Sequence, residues 1–397
     1  MKKIYLNALG ILCALGRGKA AVARNLFAGT APGMRISAQY SPAYLQQREL
    51  MLGQVLGELP LLDTDNITDR SRNNQLLLAA VEEIRPALDA LLLRVAPERI
   101  GVVIGTSTSG MAEAEQAMRQ RAHTGNFPKE FHYGQQALGS VSGFLADTLG
   151  ISGPTYTVST ACSSGAKVLA SAQRLIQAGI CDAVLAGGVD TLCAFTIAGF
   201  SSLESVSATR CNPFSANRCG INIGEGAALF LVSAEPSAIA LCGVGESSDA
   251  YHISAPEPTG RGARQALQAA LQQAQLQTAD IDYLNLHGTA TPQNDAMEAR
   301  VVHELFGADL LCSGTKPLTG HTLGAAGALE AAFCWLVLDA ENRENRLPPH
   351  LWDGVPDTKL PALHFVAPGE RAARLRYAMS SSFAFGGNNA AVILGRN

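Results

Sequence analysis

Charge is scarce in this sequence. Asp, Glu, Lys and Arg make up only 16% of its 397 residues, against 47% hydrophobic residues. That is the reverse of the balance that keeps a chain disordered, so most of it should fold. There is no basic excess: 30 Lys and Arg face 34 Asp and Glu, a net charge of −4, which argues against a protein that holds nucleic acid through its phosphates. No CxxC pair and no Cys/His cluster with zinc spacing occurs among the nine cysteines, which lie at 13, 162, 181, 193, 211, 219, 242, 312 and 334. An odd, scattered set in a long chain makes no disulfide framework, and most of these thiols should be small buried apolar groups. No apolar run approaches the ~20 residues that span a bilayer; the best candidate, residues 331–338, is short and follows Glu330.

Glycine, by contrast, is abundant. Its 39 residues show no collagen-like period and should mark tight turns and close backbone contacts. Met1-Lys2-Lys3 followed by apolar residues 4–15 imitates a signal peptide, but Asn7 and Gly10 interrupt the run and no small-x-small cleavage site follows. The expectation is a first β-strand running into a glycine turn, in a cytoplasmic protein. Near-continuous apolar runs at 100–105, 183–188, 227–232, 281–286 and 390–394 suggest strands buried on both faces. Between them, Val168, Leu169, Ala172, Leu175 and Ile176 share one helical face, as do Ala266, Leu267, Ala270 and Leu271. Strands alternating with helices imply an α/β fold. Ser233 to Pro236 closes one strand-rich block, so the chain divides near residue 240 into 1–240 and 241–397.

The strongest local signal is Thr-Ala-Cys-Ser-Ser-Gly at 160–165. A β-rich run at 156–158 meets small residues, and a helix begins near Ser163. This sets Cys162 on a sharp strand-to-helix turn, the logic of a nucleophile elbow. The positive end of a helix favours thiolate over thiol, and the N–H groups of the turn can bind an oxyanion. A buried structural thiol is the competing reading of this segment alone.

Two histidines have comparable settings. His287 follows a probable strand in His-Gly-Thr-Ala-Thr-Pro (287–292), and Asn294, Asp295 and Glu298 open the next helix. His321 lies in Lys-Pro-Leu-Thr-Gly-His-Thr (316–322), before a helix of small residues, with Lys316 five residues earlier. A lone histidine is more often a satisfied structural group; two of them, each beside Gly and Thr and near a helix start, make that reading weaker. A last motif, Ser-Phe-Ala-Phe-Gly-Gly-Asn-Asn (382–389), reads as a glycine turn between two strands, whose N–H groups can approach a ligand.

Together these motifs, in this order and over nearly the whole chain, resemble the elongating β-ketoacyl-[acyl carrier protein] synthases of the thiolase fold, fatty-acid or type II polyketide. The resemblance implies a five-layered α-β-α-β-α architecture of two similar halves, with the cysteine in 1–240 and both histidines in 241–397. It implies Cys162 as acyl-accepting nucleophile and His287 with His321 as the decarboxylation and condensation pair. Lys316 matches the family lysine near the second histidine and Glu298 the glutamate that partners it. Phe385 matches the aromatic of the glycine loop, whose N–H joins that of Cys162 in an oxyanion hole. Thr289 and Thr291 match threonines that touch a phosphopantetheine arm, Phe200 a pocket aromatic, and Thr108 a chain-length-sensing position. Arg70 and Arg72 are the candidate cations for docking an acidic carrier protein, against the plainer reading of a solvated face. No cofactor is implied beyond the arm carried by the acyl carrier protein, and no metal; Gly224-Glu225-Gly226 is too short for a dinucleotide fingerprint. Partners are the carrier and a second subunit, identical or paralogous.

Some positions depart from the family pattern. Ala384 and Asn388 replace a usual glycine and threonine, and Ser215 and Cys219 stand where aspartates are more typical. A polar Thr108 and few aromatics (6%) point away from a housekeeping synthase and towards a specialised pathway, such as an aryl-polyene or related polyketide system. The alternative is a chain-length partner that shapes a pocket without catalysing; such partners usually lose the cysteine that this chain keeps. A degradative thiolase would need a second catalytic cysteine near the last motif, and residues 380–389 contain none.

Overall fold

The computed structural model describes residues 2–40 and 49–397. The apolar runs are strands. Ile100–Gly105, Ala183–Asp190 and Gly226–Ser233 are buried at every residue, as continuous apolar strands covered on both faces must be. The lysine-led N-terminal run is the strand Ile4–Cys13, which turns back through Ala14 and Leu15 into the two-residue strand Gly16–Arg17. Among the described residues no helix is long and apolar enough to cross a membrane.

Strand order reveals the two halves. Inward from one edge run Thr155–Val158, Ile100–Gly105 and Ala183–Asp190, mutually parallel, then antiparallel Gly226–Ser233 and Ile4–Cys13. From the other side run Leu311–Gly314, Tyr283–Leu286 and Tyr377–Phe383, again parallel, then antiparallel Asn388–Arg396 and Ile239–Ser248. The two-residue strand His364–Phe365 lies outside Leu311–Gly314. Numbered along the chain, both sets read 3-2-4-5-1 in space. Among the described residues, the two sets of strands are hydrogen-bonded to one another at Ile4↔Leu241 and Tyr5↔Ala240.

Helices separate and cover the strands. Ser164–Gln177, here the nucleophile helix, and Ala326–Leu338 form the central layer, sharing one core with strands of both halves. Arg72–Leu92 packs on the outer face of the first set. Arg261–Ala274 and Pro292–Phe306 cover the second. The result is the five-layered thiolase-like architecture. Ala326–Leu338 is buried all round, as a helix apolar on every face must be, and Glu330 is its one charged residue.

The central helices meet backbone to backbone. A Cβ at Gly165 would stand 2.5 Å from the Ala328 nitrogen, and one at Gly327 would stand 2.7 Å from the Ala166 nitrogen. Only glycine permits this approach, and it fixes where the nucleophile helix begins. We expect Gly327→Ala to cost about 1–3 kcal/mol, the usual penalty for overpacking, read as a lower urea midpoint with an unchanged slope.

Candidate active site

Cys162 stands between the strand Thr155–Val158 and the nucleophile helix. The turn is tight enough to hold Ala161 at φ +51°, a left-handed conformation uncommon outside glycine that costs about 1–3 kcal/mol where the surroundings enforce it. Small hydroxyls enforce it here. Ser164 Oγ accepts from the Thr160 N–H (2.8 Å) and donates to the Ala161 carbonyl (2.6 Å), while Ser163 Oγ donates to the Thr160 carbonyl (2.9 Å). The thiol therefore sits at the positive end of a 14-residue helix.

Opposite it, His321 follows the one-turn helix Lys316–Thr319 and Gly320, which has φ +68°. The Leu323 N–H donates to His321 Nδ1 (3.2 Å), so Nε2 carries the ring proton. That nitrogen lies 3.0 Å from the Cys162 sulfur. His287 sits just beyond Tyr283–Leu286; its ring meets that of His321 edge-on, centroids 5.4 Å apart at 85°. One ligating atom from each of Cys162, His287 and His321 falls within 4.8 Å of the others. Lys316 Nζ stands 3.3 Å from His287 Nδ1 and also donates to the His287 carbonyl and to Glu330. Its three donors thus have three acceptors.

Burial governs the charges. It pushes the Cys162 thiol up to about 11, while the nearby Lys316 charge and the backbone N–H groups of Phe385 and of Cys162 itself pull it back. Burial first, and the Lys316 ammonium second, hold both imidazoles well below the ordinary 6.5; both rings are neutral. Burial likewise pushes the Glu330 carboxyl up, opposed by Lys316.

The structure also relocates several expected residues. Glu298 does not partner Lys316. Its carboxylate accepts from the N–H groups of His287 (2.7 Å) and Gly288 (2.8 Å) and from Ser381 Oγ (3.0 Å), bracing the His287 loop. The partner of Lys316 is Glu330, which motif reading missed; a lone carboxylate inside an apolar helix was its signal, because a buried charge needs an opposite one. Thr108 does not line the cavity at Cys162: it is buried, and its hydroxyl donates to Asp190 Oδ1 (2.7 Å). Arg72 is not a free docking cation, since Nε and Nη2 hold the buried Glu225 carboxylate at 2.9 and 2.6 Å. Arg70 stays exposed and donates to the Thr64 carbonyl (3.0 Å). Phe200, Thr289, Thr291 and Phe385 do line the cavity with Cys162 and both histidines. Phe200 and Phe385 pack at 5.5 Å between centroids, and the two threonine hydroxyls lie 2.9 Å apart. Asn388 Oδ1, one of the departures, accepts from Lys167 Nζ at 2.9 Å.

Residues 60–238 match the family model of the β-ketoacyl synthase N-terminal domain, and residues 239–351 that of its C-terminal domain. The chain is 34% identical over 316 residues to 3-oxoacyl-[acyl-carrier-protein] synthase 2 of Staphylococcus aureus, covering 75% of this chain and 77% of that one. Among solved structures it superposes on one titled as the ketosynthase ApeO in complex with its chain length factor ApeC from Xenorhabdus doucetiae, with TM-score 0.94 and 46% identity over 100% of this chain and 98% of that one. A β-ketoacyl synthase from Burkholderia phymatum matches with TM-score 0.86 and 26% identity over both whole chains.

Two outcomes follow from the charges. Glu330→Gln leaves the Lys316 ammonium buried without an opposite charge, and should cost about 3–5 kcal/mol in chemical denaturation. The ring resonances of His287 and His321 should stay unshifted between pH 8 and 6 by NMR. Their depressed pKa values mean that both rings take up protons only on unfolding, so this pair makes stability fall as the pH drops below 6.5.

Proposed function

The chain belongs to the β-ketoacyl synthase family, and on that premise we propose how its residues divide the decarboxylative condensation of an enzyme-bound acyl group with malonyl-[acyl carrier protein] to a 3-oxoacyl-[acyl carrier protein]. One observation carries the reading: a sulfur, two neutral imidazoles and two backbone N–H groups converge on one buried cavity.

In the first half-reaction the Cys162 sulfur attacks the acyl thioester on a phosphopantetheine thiol. The helix end, the His321 Nε2–H and the Lys316 charge stabilise the thiolate. The N–H groups of Cys162 and Phe385 hold the tetrahedral oxyanion. The carrier thiolate leaves and takes the proton given up by Cys162. In the second, a malonyl thioester loses carbon dioxide, and its electron pair becomes an enolate whose oxygen the two imidazoles hold. A carboxylate there would repel that charge. The enolate carbon attacks the Cys162 thioester, the same oxyanion hole serves again, and the cysteine thiolate leaves and takes one proton from solvent.

Thr289 and Thr291 would contact the arm and Phe200 the acyl chain, with no cofactor beyond the arm and no metal. Arg70 remains the docking cation of this proposal. The residues up to 240 supply the nucleophile and those beyond it the histidines. The 46% identity to a structure of a ketosynthase with a chain length factor, against 34% to the Staphylococcus enzyme, favours a specialised fatty-acid or polyene pathway and a ketosynthase-like second subunit, identical or paralogous. The complete trio argues against a purely non-catalytic partner role. The site of action in this proposal is the cytoplasm.

Incubation with acyl-loaded carrier should add the acyl mass to Cys162, and Cys162→Ala should abolish both adduct and product. His287→Ala and His321→Ala should each lower carbon dioxide release from malonyl carrier by about 10²–10³, the usual cost of one lost oxyanion donor. Wild-type protein that forms no thioester and releases no carbon dioxide, with a second subunit present, would sink the proposal. Arg70→Glu should raise KM for the carrier and leave kcat unchanged.

A further inference from the structure

Asp190 ends the strand Ala183–Asp190 and is fully buried. Among the described residues it forms no ion pair; hydrogen bonds alone satisfy it. Oδ1 accepts from Thr106 Oγ1 (2.8 Å), the Ser107 N–H (2.8 Å), the Thr108 N–H (2.8 Å) and Thr108 Oγ1 (2.7 Å). Oδ2 accepts from the Ala325 N–H (3.0 Å), a donor shared with the Thr322 carbonyl. Gly324 admits this approach, because a Cβ there would meet Oδ2 at 2.8 Å.

The two groups of donors belong to different halves. One is the loop after Ile100–Gly105. The other is the turn Leu323–Ala325, which holds Leu323 at φ +49° and aims its N–H at His321 Nδ1. That N–H decides which nitrogen of His321 faces the sulfur. Resting on the assignment of Cys162 and His321 above, we infer that Asp190 is the positioning residue for His321: its carboxylate ties the 106–108 loop to the turn that keeps the Nε2 proton on the Cys162 sulfur. Thr108, sought on the acyl pocket, thus works inside this cradle as a donor.

Geometry predicts what the amide of Asp190→Asn would do. Four donors surround one carboxylate oxygen and a fifth faces the other, so whichever way the substituted side chain turned, its NH2 would face an N–H or O–H donor. The favoured orientation keeps the amide oxygen on the four donors and releases Ala325.

The test is the rate at which iodoacetamide alkylates Cys162, followed by peptide-resolved mass spectrometry, in wild type, Asp190→Asn, His321→Ala and the double variant. This readout needs no turnover. We expect Asp190→Asn to shift the rate about tenfold in the direction of His321→Ala, and to add less than about twofold in the His321→Ala background. Thr108→Val, which removes one donor and keeps the carboxylate, should show the same non-additivity at smaller size and serves if Asp190→Asn does not fold. Equal effects in both backgrounds, or no effect, would overturn the inference. If His321→Ala itself left both alkylation and condensation unchanged, the assignment of His321 would fail instead.

Discussion

A lysine ammonium with 2% of its surface exposed sets the terms for everything around it. Lys316 is tolerated in the core because Glu330 neutralises it and the His287 loop accepts its remaining protons. Its charge then acts at short range. It opposes protonation of both imidazoles and eases ionisation of the thiol. It works alongside burial, which is the larger cause of the neutral rings, and alongside the backbone N–H groups of Phe385 and Cys162, which also ease ionisation of the thiol.

The fold brings these groups together by repeating itself. Each half supplies the same five-strand order, and the central helices that follow the third strand of each half face one another across the molecule. The nucleophile helix carries Cys162 from one half, and Ala326–Leu338 carries Glu330 from the other. Their contact through Gly165 and Gly327 is what makes a 3.0 Å approach between Cys162 and His321 geometrically possible.

Much of this was legible in the chain. Continuous apolar runs located strands at 100–105, 183–190 and 226–233 to within a residue or two, and the His-Gly-Thr and Gly-His-Thr motifs located both rings. What pattern reading could not supply was the partner of each polar group. Glu298 and Glu330 are both acids near a histidine motif, and only packing decides that one braces backbone N–H groups while the other neutralises Lys316. The same holds for Arg72, whose exposed-looking context at 68–72 hid the buried Glu225, 153 positions away, and for Thr108, whose hydroxyl turned to Asp190. Local sequence reports backbone habit well; pairing across distant segments is a property of the assembled layers.

Among the described residues, the strand Thr155–Val158 lies at the margin of its sheet, hydrogen-bonded to Ile100–Gly105 on one side only, with Tyr156 38% exposed. Four residues later the same stretch of backbone becomes the nucleophile. A sheet margin is where another polypeptide adds on, so assembly along this border would brace the catalytic elbow from outside. A change in this short ribbon would therefore reach Cys162 directly, through the backbone that joins the strand to the nucleophile helix.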